Sequence, residues 1–217
     1  MTLTAHRKPS TSGTTDTVMV FLHGYGADGA DLFGLADAFA PAMPDTVFLA
    51  PDAPEPCSVN PLGRQWFPIP HMDGSSAVQA ATSMAASTDA LSQFLDGVLA
   101  DEGITPAKLI LFGFSQGTMM SLHHAPKRAE PIGAILGFSG RLIAPETWAP
   151  EVQSRMPVFL THGDADPVVP FAEMAAAEAA LLKADFTVET HVMPGTPHGI
   201  APDGLQAAFE FLRRNVL

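Results

Sequence analysis

The chain has 217 residues, 47% apolar and only 16% charged, and carries a formal net charge of -12. This composition excludes a disordered or fibrous chain and fits a single domain over residues 1–217, long enough to bury a core without disulfides or a structural metal. The acidic balance argues against a nucleic-acid partner and against capture by anionic membranes, and is read as a solubility feature. In chain order, residues 1–16 form no strong pattern and are expected to be a poorly ordered or edge segment. Apolar runs follow at 17–22, 46–50, 108–112, 132–138, 157–161 and 186–193, each stopped by a turn, glycine or proline. Continuous rather than alternating apolar runs suit strands buried on both faces of a parallel sheet. Helical patterns lie between and after them at 30–40, 77–101, 116–124, 171–184 and 202–215. The 77–101 pattern shows an apolar stripe of Leu91, Phe94, Leu95 and Val98. Such alternation predicts a doubly wound α/β fold with a mostly parallel sheet and helices on both faces. Residues 53–76, rich in proline and carrying Trp66 and Phe67, break the alternation and read either as a binding loop or as a packed surface loop.

Cys57 is the single cysteine, so no intrachain disulfide can form. No apolar run approaches the roughly 20 residues of a membrane span, and the first residues lack a signal-peptide core. The expected location is the cytoplasm, without stable membrane insertion.

Gly113-Phe114-Ser115-Gln116-Gly117 matches the strand-turn-helix pattern G-x-S-x-G. A serine on so sharp a turn projects its hydroxyl above the sheet, and the flanking glycines keep strand and helix from colliding. Leu109 to Phe112 reads as the strand before it, and Thr118 to Leu122 as the helix after it. A second G-x-S, Gly137-Phe138-Ser139, has Arg141 where the second glycine belongs, so Ser139 reads as structural.

A serine hydroxyl needs a base, and the base needs an orienting acid. Among eight histidines, His198 lies in a glycine-flanked loop after the last strand, where an imidazole can reach a strand-end serine. His123 and His124 lie on the helix after the serine, His23 and His162 end strands, and His6, His71 and His191 have no supporting context. Two aspartates compete in His162-Gly163-Asp164-Ala165-Asp166-Pro167. Asp166 is favoured because Pro167 holds its backbone extended, whereas Asp164 is better placed to bind local amides. The glycine-rich stretch Gly24-Tyr25-Gly26-Ala27-Asp28-Gly29 supplies amides for an oxyanion. Its competing reading, a nucleotide-phosphate turn with Asp52 as the ribose acid, is weaker beside a nucleophile elbow.

Together, Phe-Leu-His-Gly-Tyr-Gly, Gly-Phe-Ser-Gln-Gly, His-Gly-Asp-Ala-Asp-Pro-Val-Val-Pro and Pro-His-Gly-Ile resemble the phospholipase/carboxylesterase family, which includes the acyl-protein thioesterases. The resemblance implies an α/β-hydrolase fold without a large cap domain and Ser115, Asp166 and His198 as the catalytic triad. It also implies oxyanion donors at the Tyr25 and Gln116 amides, no cofactor or metal, and frequent dimers. The implied substrates are short- to medium-chain carboxylic esters, with thioesters or lysophospholipids as the alternative. A non-catalytic ligand-binding protein on the same fold is the alternative of another class. Thr118 departs from the family pattern, where a small residue such as glycine is common at this position. Trp66, Phe67 and Met119 are expected to line the substrate pocket, because the long 53–76 segment is the natural cover for a strand-end site.

Overall fold

The computed structural model describes residues 3–217. They fall into two compact units, the first ending at Ile104 and the second running Thr105–Leu217.

In the first unit, β1 (Ala5–Lys8), β2 (Thr17–Leu22) and β3 (Thr46–Pro51) form the main strands. β2 and β3 are parallel, with Thr17 opposite Thr46 and Val20 opposite Leu49, and every residue of both is buried. β1 runs antiparallel along β3, with Ala5 opposite Pro51. Its sequence, Ala-His-Arg-Lys, has no apolar signature, as suits an edge strand held by backbone bonds.

The 30–40 helix pattern is split at Gly34, a poor helix former, into α1 (Gly29–Phe33) and α2 (Leu35–Phe39). Asp28 caps α1, its carboxylate accepting from Ala30 N at 3.0 Å. The 53–76 segment is not an irregular loop. It holds a two-stranded hairpin, β4 (Glu55–Pro56) with β5 (Arg64–Gln65), and the short helix α3 (Pro70–Asp73). Arg64 pins the hairpin by donating from Nε to Ala53 O at 2.8 Å and from its guanidinium to Pro54 O at 2.9 Å.

Then comes α4 (Ala77–Glu102), opened by a capping box between Ser76 and Gln79 and closed by Gly103 in the left-handed region at φ 67°. It buries Met84, Ser87, Leu91, Leu95 and Val98, a stripe at helical spacing.

The second unit alternates strand and helix throughout: β6 (Leu109–Phe114), α5 (Gln116–His124), β7 (Ala134–Phe138), α6 (Pro145–Trp148), β8 (Val158–Gly163), α7 (Ala172–Lys183), β9 (Val188–Met193) and α8 (Pro202–Asn215). All four strands are parallel and pair in sequence order. Phe114, Phe138, Thr161 and His191 stand in one row across them, so the segments leaving these strands emerge at one carboxyl edge. That edge is where α/β folds place ligands. The core beneath it is aromatic: Phe112 stacks on Phe138 at 4.6 Å, and Phe159 packs against Phe211 of α8 at 5.6 Å.

Candidate active site

Ser115 occupies the one-residue turn between β6 and α5 with φ 52° and ψ -112°, a conformation a side chain rarely adopts. Such strain costs about 1–3 kcal/mol and persists only where neighbours enforce it. They do so here. Ser115 N donates to Phe138 O at 2.8 Å, and Met119 N donates to Ser115 O at 3.2 Å. A Cβ on Gly113 would stand 2.5 Å from Thr118 N, so the first glycine of the pattern is sterically required.

Thr118 takes part in the same construction. Its Oγ1 lies 2.8 Å from both Gly113 O and Phe138 O, tying the helix to the ends of β6 and β7. Side chains at Gly137 or Gly140 would strike Thr118, at 2.7 and 2.4 Å. The glycines around Ser139 therefore make room for the elbow helix. Ser139 itself is buried and donates to Gly199 O, at 3.4 Å, in the loop that carries His198.

The side chain of Asp166, on the loop leaving β8, is fully enclosed, and four nitrogens surround its carboxylate. Oδ1 accepts from Val168 N at 2.8 Å and Val169 N at 3.0 Å. Oδ2 pairs with His198 Nδ1 at 2.7 Å and has His162 Nε2 at 3.1 Å. Burial alone would raise its pKa, but the bond from His198 and the two amides outweigh it and hold the carboxyl below the ordinary range. Because Oδ2 accepts at Nδ1 of His198, Nε2 of that ring is left to take a proton. The ring packs against Phe114, the residue before Ser115, with centroids 4.9 Å apart.

The two loops behind this couple are joined along their length. Asp164 accepts from Gly195 N at 2.6 Å, and Ala165 N donates to Thr196 O at 3.2 Å. A Cβ on Gly163 would lie 2.1 Å from Thr196 O, so only glycine permits this contact. Asp164 thus binds an amide of the His198 loop rather than one in its own turn. His162, read from sequence as a packed strand-end histidine, is buried, with Nε2 donating to Val169 O at 3.0 Å. Its closeness to Asp166 Oδ2 was not legible in the sequence, although a four-residue spacing across a tight turn is compatible with it.

The family model for phospholipase/carboxylesterase proteins matches residues 9–216. The chain belongs to the phospholipase/carboxylesterase family. These are serine hydrolases acting on carboxylic esters, and the fold is the α/β-hydrolase fold. Among curated relatives, an acyl-protein thioesterase 1 of Gibberella zeae is 31% identical over 222 residues, covering 96% of this chain and 94% of that one. Esterase YpfH of Escherichia coli is 30% identical, covering 92% and 83%. Among solved structures, esterase PE8 is 39% identical with a TM-score of 0.94 over 100% of both chains.

The glycine-rich stretch of this family member follows β2 and is stitched to the segment after β3. Gly26 N donates to Arg64 O at 2.9 Å, Arg64 N to Ala27 O at 2.7 Å, and Asn60 Nδ2 to Gly26 O at 2.7 Å. Asp52, the acid a nucleotide site would need, instead accepts from Gly29 N at 2.9 Å. Among the described residues no hydrogen bond within the protein takes up the Tyr25 amide. His23 is buried, with Nδ1 donating to Gly24 O at 2.8 Å and Nε2 accepting from Ala53 N at 3.0 Å. Burial lowers its pKa, and these bonds require the neutral ring. Gln116 opens α5, so its amide is one of the helix's first N–H groups.

The placement of Trp66 corrects an expectation. It has no exposed surface; its indole N–H donates to His23 O at 3.1 Å, and its carbonyl accepts from Ser87 Oγ. An indole spent on holding the backbone beneath the glycine-rich stretch is a core pillar rather than a pocket wall. Phe67 and Met119 are also nearly buried, each 7% exposed. Lys127 Nζ donates to His123 Nε2 at 2.8 Å and pairs with Glu151 at 2.5 Å, so one ion pair and one neutral imidazole make up the polar end of α5. Among the described residues, no cluster of His, Cys, Asp or Glu could hold a metal, and no helix is long and apolar enough to cross a membrane.

Proposed function

We propose that this carboxylesterase works through an acyl-enzyme on Ser115, with His198 as general base and acid, Asp166 as its orienting carboxylate, and the Tyr25 and Gln116 amides as oxyanion donors. The carrying observation is the strained elbow at Ser115 on the same carboxyl edge as a partly buried His198 paired with the enclosed Asp166 carboxylate at 2.7 Å. Ser115 Oγ attacks the ester carbonyl while His198 Nε2 takes its proton. The two amides hold the negative charge that develops on the carbonyl oxygen. His198 then gives its proton to the departing alcohol, and water repeats the sequence to release the acid. Asp166 keeps the proton on Nδ1 and stabilises the imidazolium without becoming protonated itself.

Small esters of short to medium acyl chains are the proposed substrates, with Met119 and Phe67 as the remaining apolar contacts. The thioesterase reading is kept because several curated relatives bear that name. A cytoplasmic location and a homodimer belong to the same proposal; the single cysteine and the family resemblance support them. Turnover of matched oxyesters, thioesters and a lysophospholipid tests the assignment. It predicts the highest kcat/KM on oxyesters of short to medium acyl chain, and a decisive preference for the thioester or lysolipid overturns it.

A further inference from the structure

Tyr25 is the only tyrosine in the chain, and its hydroxyl is bound far from its backbone. The hydroxyl donates to Asp73 Oδ2 at 2.9 Å and lies 3.2 Å from Ser58 Oγ. With the phenolic proton given to Asp73, the Ser58 hydroxyl is the donor in the second contact. Asp73 is itself fixed at the end of α3: Oδ2 also accepts from Ile69 N at 2.8 Å, and Oδ1 from Ser75 N at 2.9 Å. A carboxylate bound at both oxygens by backbone amides is an immobile acceptor, and its bond to a hydroxyl is of the strong, charge-assisted kind.

The ionisation states suit the bond. Burial and the neighbouring Asp73 push the Tyr25 phenol well above its usual range, so it stays a donor. Burial alone would raise the Asp73 pKa, but hydrogen bonds from Ser75, Ile69 and Tyr25 bring it far below the carboxylate range, so it stays an acceptor.

On the other side of Tyr25, Gly26 sits at φ 80°, and its amide and carbonyl are both bound, to Arg64 and Asn60. A Cβ on Gly63 would lie 2.0 Å from Gly26 O, so the hairpin and the glycine-rich stretch touch through two glycines. Tyr25 is therefore held at both ends, by its hydroxyl and by the peptide that follows it, while its own amide has no partner within the protein among the described residues.

We propose that Asp73 and the Tyr25 hydroxyl form a clamp that presets the Tyr25 amide for the oxyanion, making both positioning residues rather than catalytic ones. This rests on the proposed role of the Tyr25 amide. A preset donor needs no rearrangement when charge develops, which is where oxyanion stabilisation gains its size.

The test uses Tyr25→Phe, which keeps the amide and the ring, Asp73→Asn, which keeps one acceptor oxygen for the α3 backbone, and the double variant. Ester hydrolysis, the thermal midpoint and the rate of fluorophosphonate labelling are measured for each. The clamp predicts a fall in kcat of roughly 10- to 100-fold for Tyr25→Phe, with KM within about twofold, because the donor acts on the transition state. Labelling slows in parallel, and the double variant is no worse than Tyr25→Phe alone. Tyr25→Phe at wild-type kcat, a rise in KM alone, or a kcat loss accounted for by the unfolded fraction overturns the clamp. Wild-type protein that labels at Ser115 keeps the hydrolase mechanism intact in those cases; wild-type protein that does not label there overturns both.

Discussion

Replacing Asp166 by asparagine tests the arrangement most sharply, because the structure fixes how the new amide must lie. An amide has one accepting oxygen and one donating nitrogen. Placing the nitrogen at the Oδ1 position would set it against the N–H groups of Val168 and Val169, at 2.8 and 3.0 Å. Placing it at Oδ2 sets it against His198 Nδ1, at 2.7 Å, and the single N–H of His162, at 3.1 Å. The second orientation has one donor-donor conflict rather than two and is the one expected. His198 must then accept at Nδ1 and carry its proton on Nε2, which leaves no base for Ser115. Loss of the correct tautomer costs about 10⁴ in kcat, equivalent to roughly 5 kcal/mol at 1.36 kcal/mol per decade. Asp164→Asn keeps an oxygen for Gly195 N and should lose less than about tenfold, or roughly 1.4 kcal/mol. Both variants are assayed for kcat on a chromogenic short-chain ester, with circular dichroism as the check on folding. A larger loss in Asp164→Asn, or Asp166→Asn within tenfold of wild type, refutes the assignment of the acid.

Acid should destabilise the protein in two stages. Burial lowers the pKa of His23, and burial with Lys127 beside it lowers that of His123 to about 4 from 6.5. The unfolded chain therefore takes up these protons first, and stability falls as pH drops from about 6.5 through 4. Asp166 is also depressed, so its contribution is present above its unfolded pKa of about 3.9 and is lost as pH falls further, through its folded value. Urea midpoints from pH 8 to pH 3 check this; midpoints flat down to pH 4 contradict the histidine stage. Trp66→Ala should cost about 3–5 kcal/mol by chemical unfolding, because it removes a fully buried indole and its bond to His23 O. Unchanged stability with an altered acyl-chain preference would instead return Trp66 to the substrate pocket.

The alternation of strand and helix was legible because the central strands are buried on both faces, which leaves uninterrupted runs such as Val18 to Leu22 and Leu109 to Phe112. The elbow was legible because Gly113 is demanded by contact with Thr118, so a steric need is written as a residue type. For residues 1–16 an edge segment was one of two readings, and the bounds of β1 were not legible, since backbone pairing asks nothing of Ala-His-Arg-Lys. The hairpin and α3 were obscured by the prolines of residues 53–76. Trp66 was misread because composition cannot tell an indole facing a ligand from one donating to a carbonyl in the core. The Asp73–Tyr25 bond joins residues 48 apart through a short helix, and no local spacing announces it.

The central claim is that Ser115 is the nucleophile. Treating the folded protein with a fluorophosphonate and mapping the adduct by mass spectrometry tests it directly. One phosphonyl group per chain on the peptide containing Ser115, with loss of ester hydrolysis in proportion to labelling, is the result this account predicts. Stoichiometric labelling at Ser139 or another residue, or full ester hydrolysis by Ser115→Ala, contradicts it.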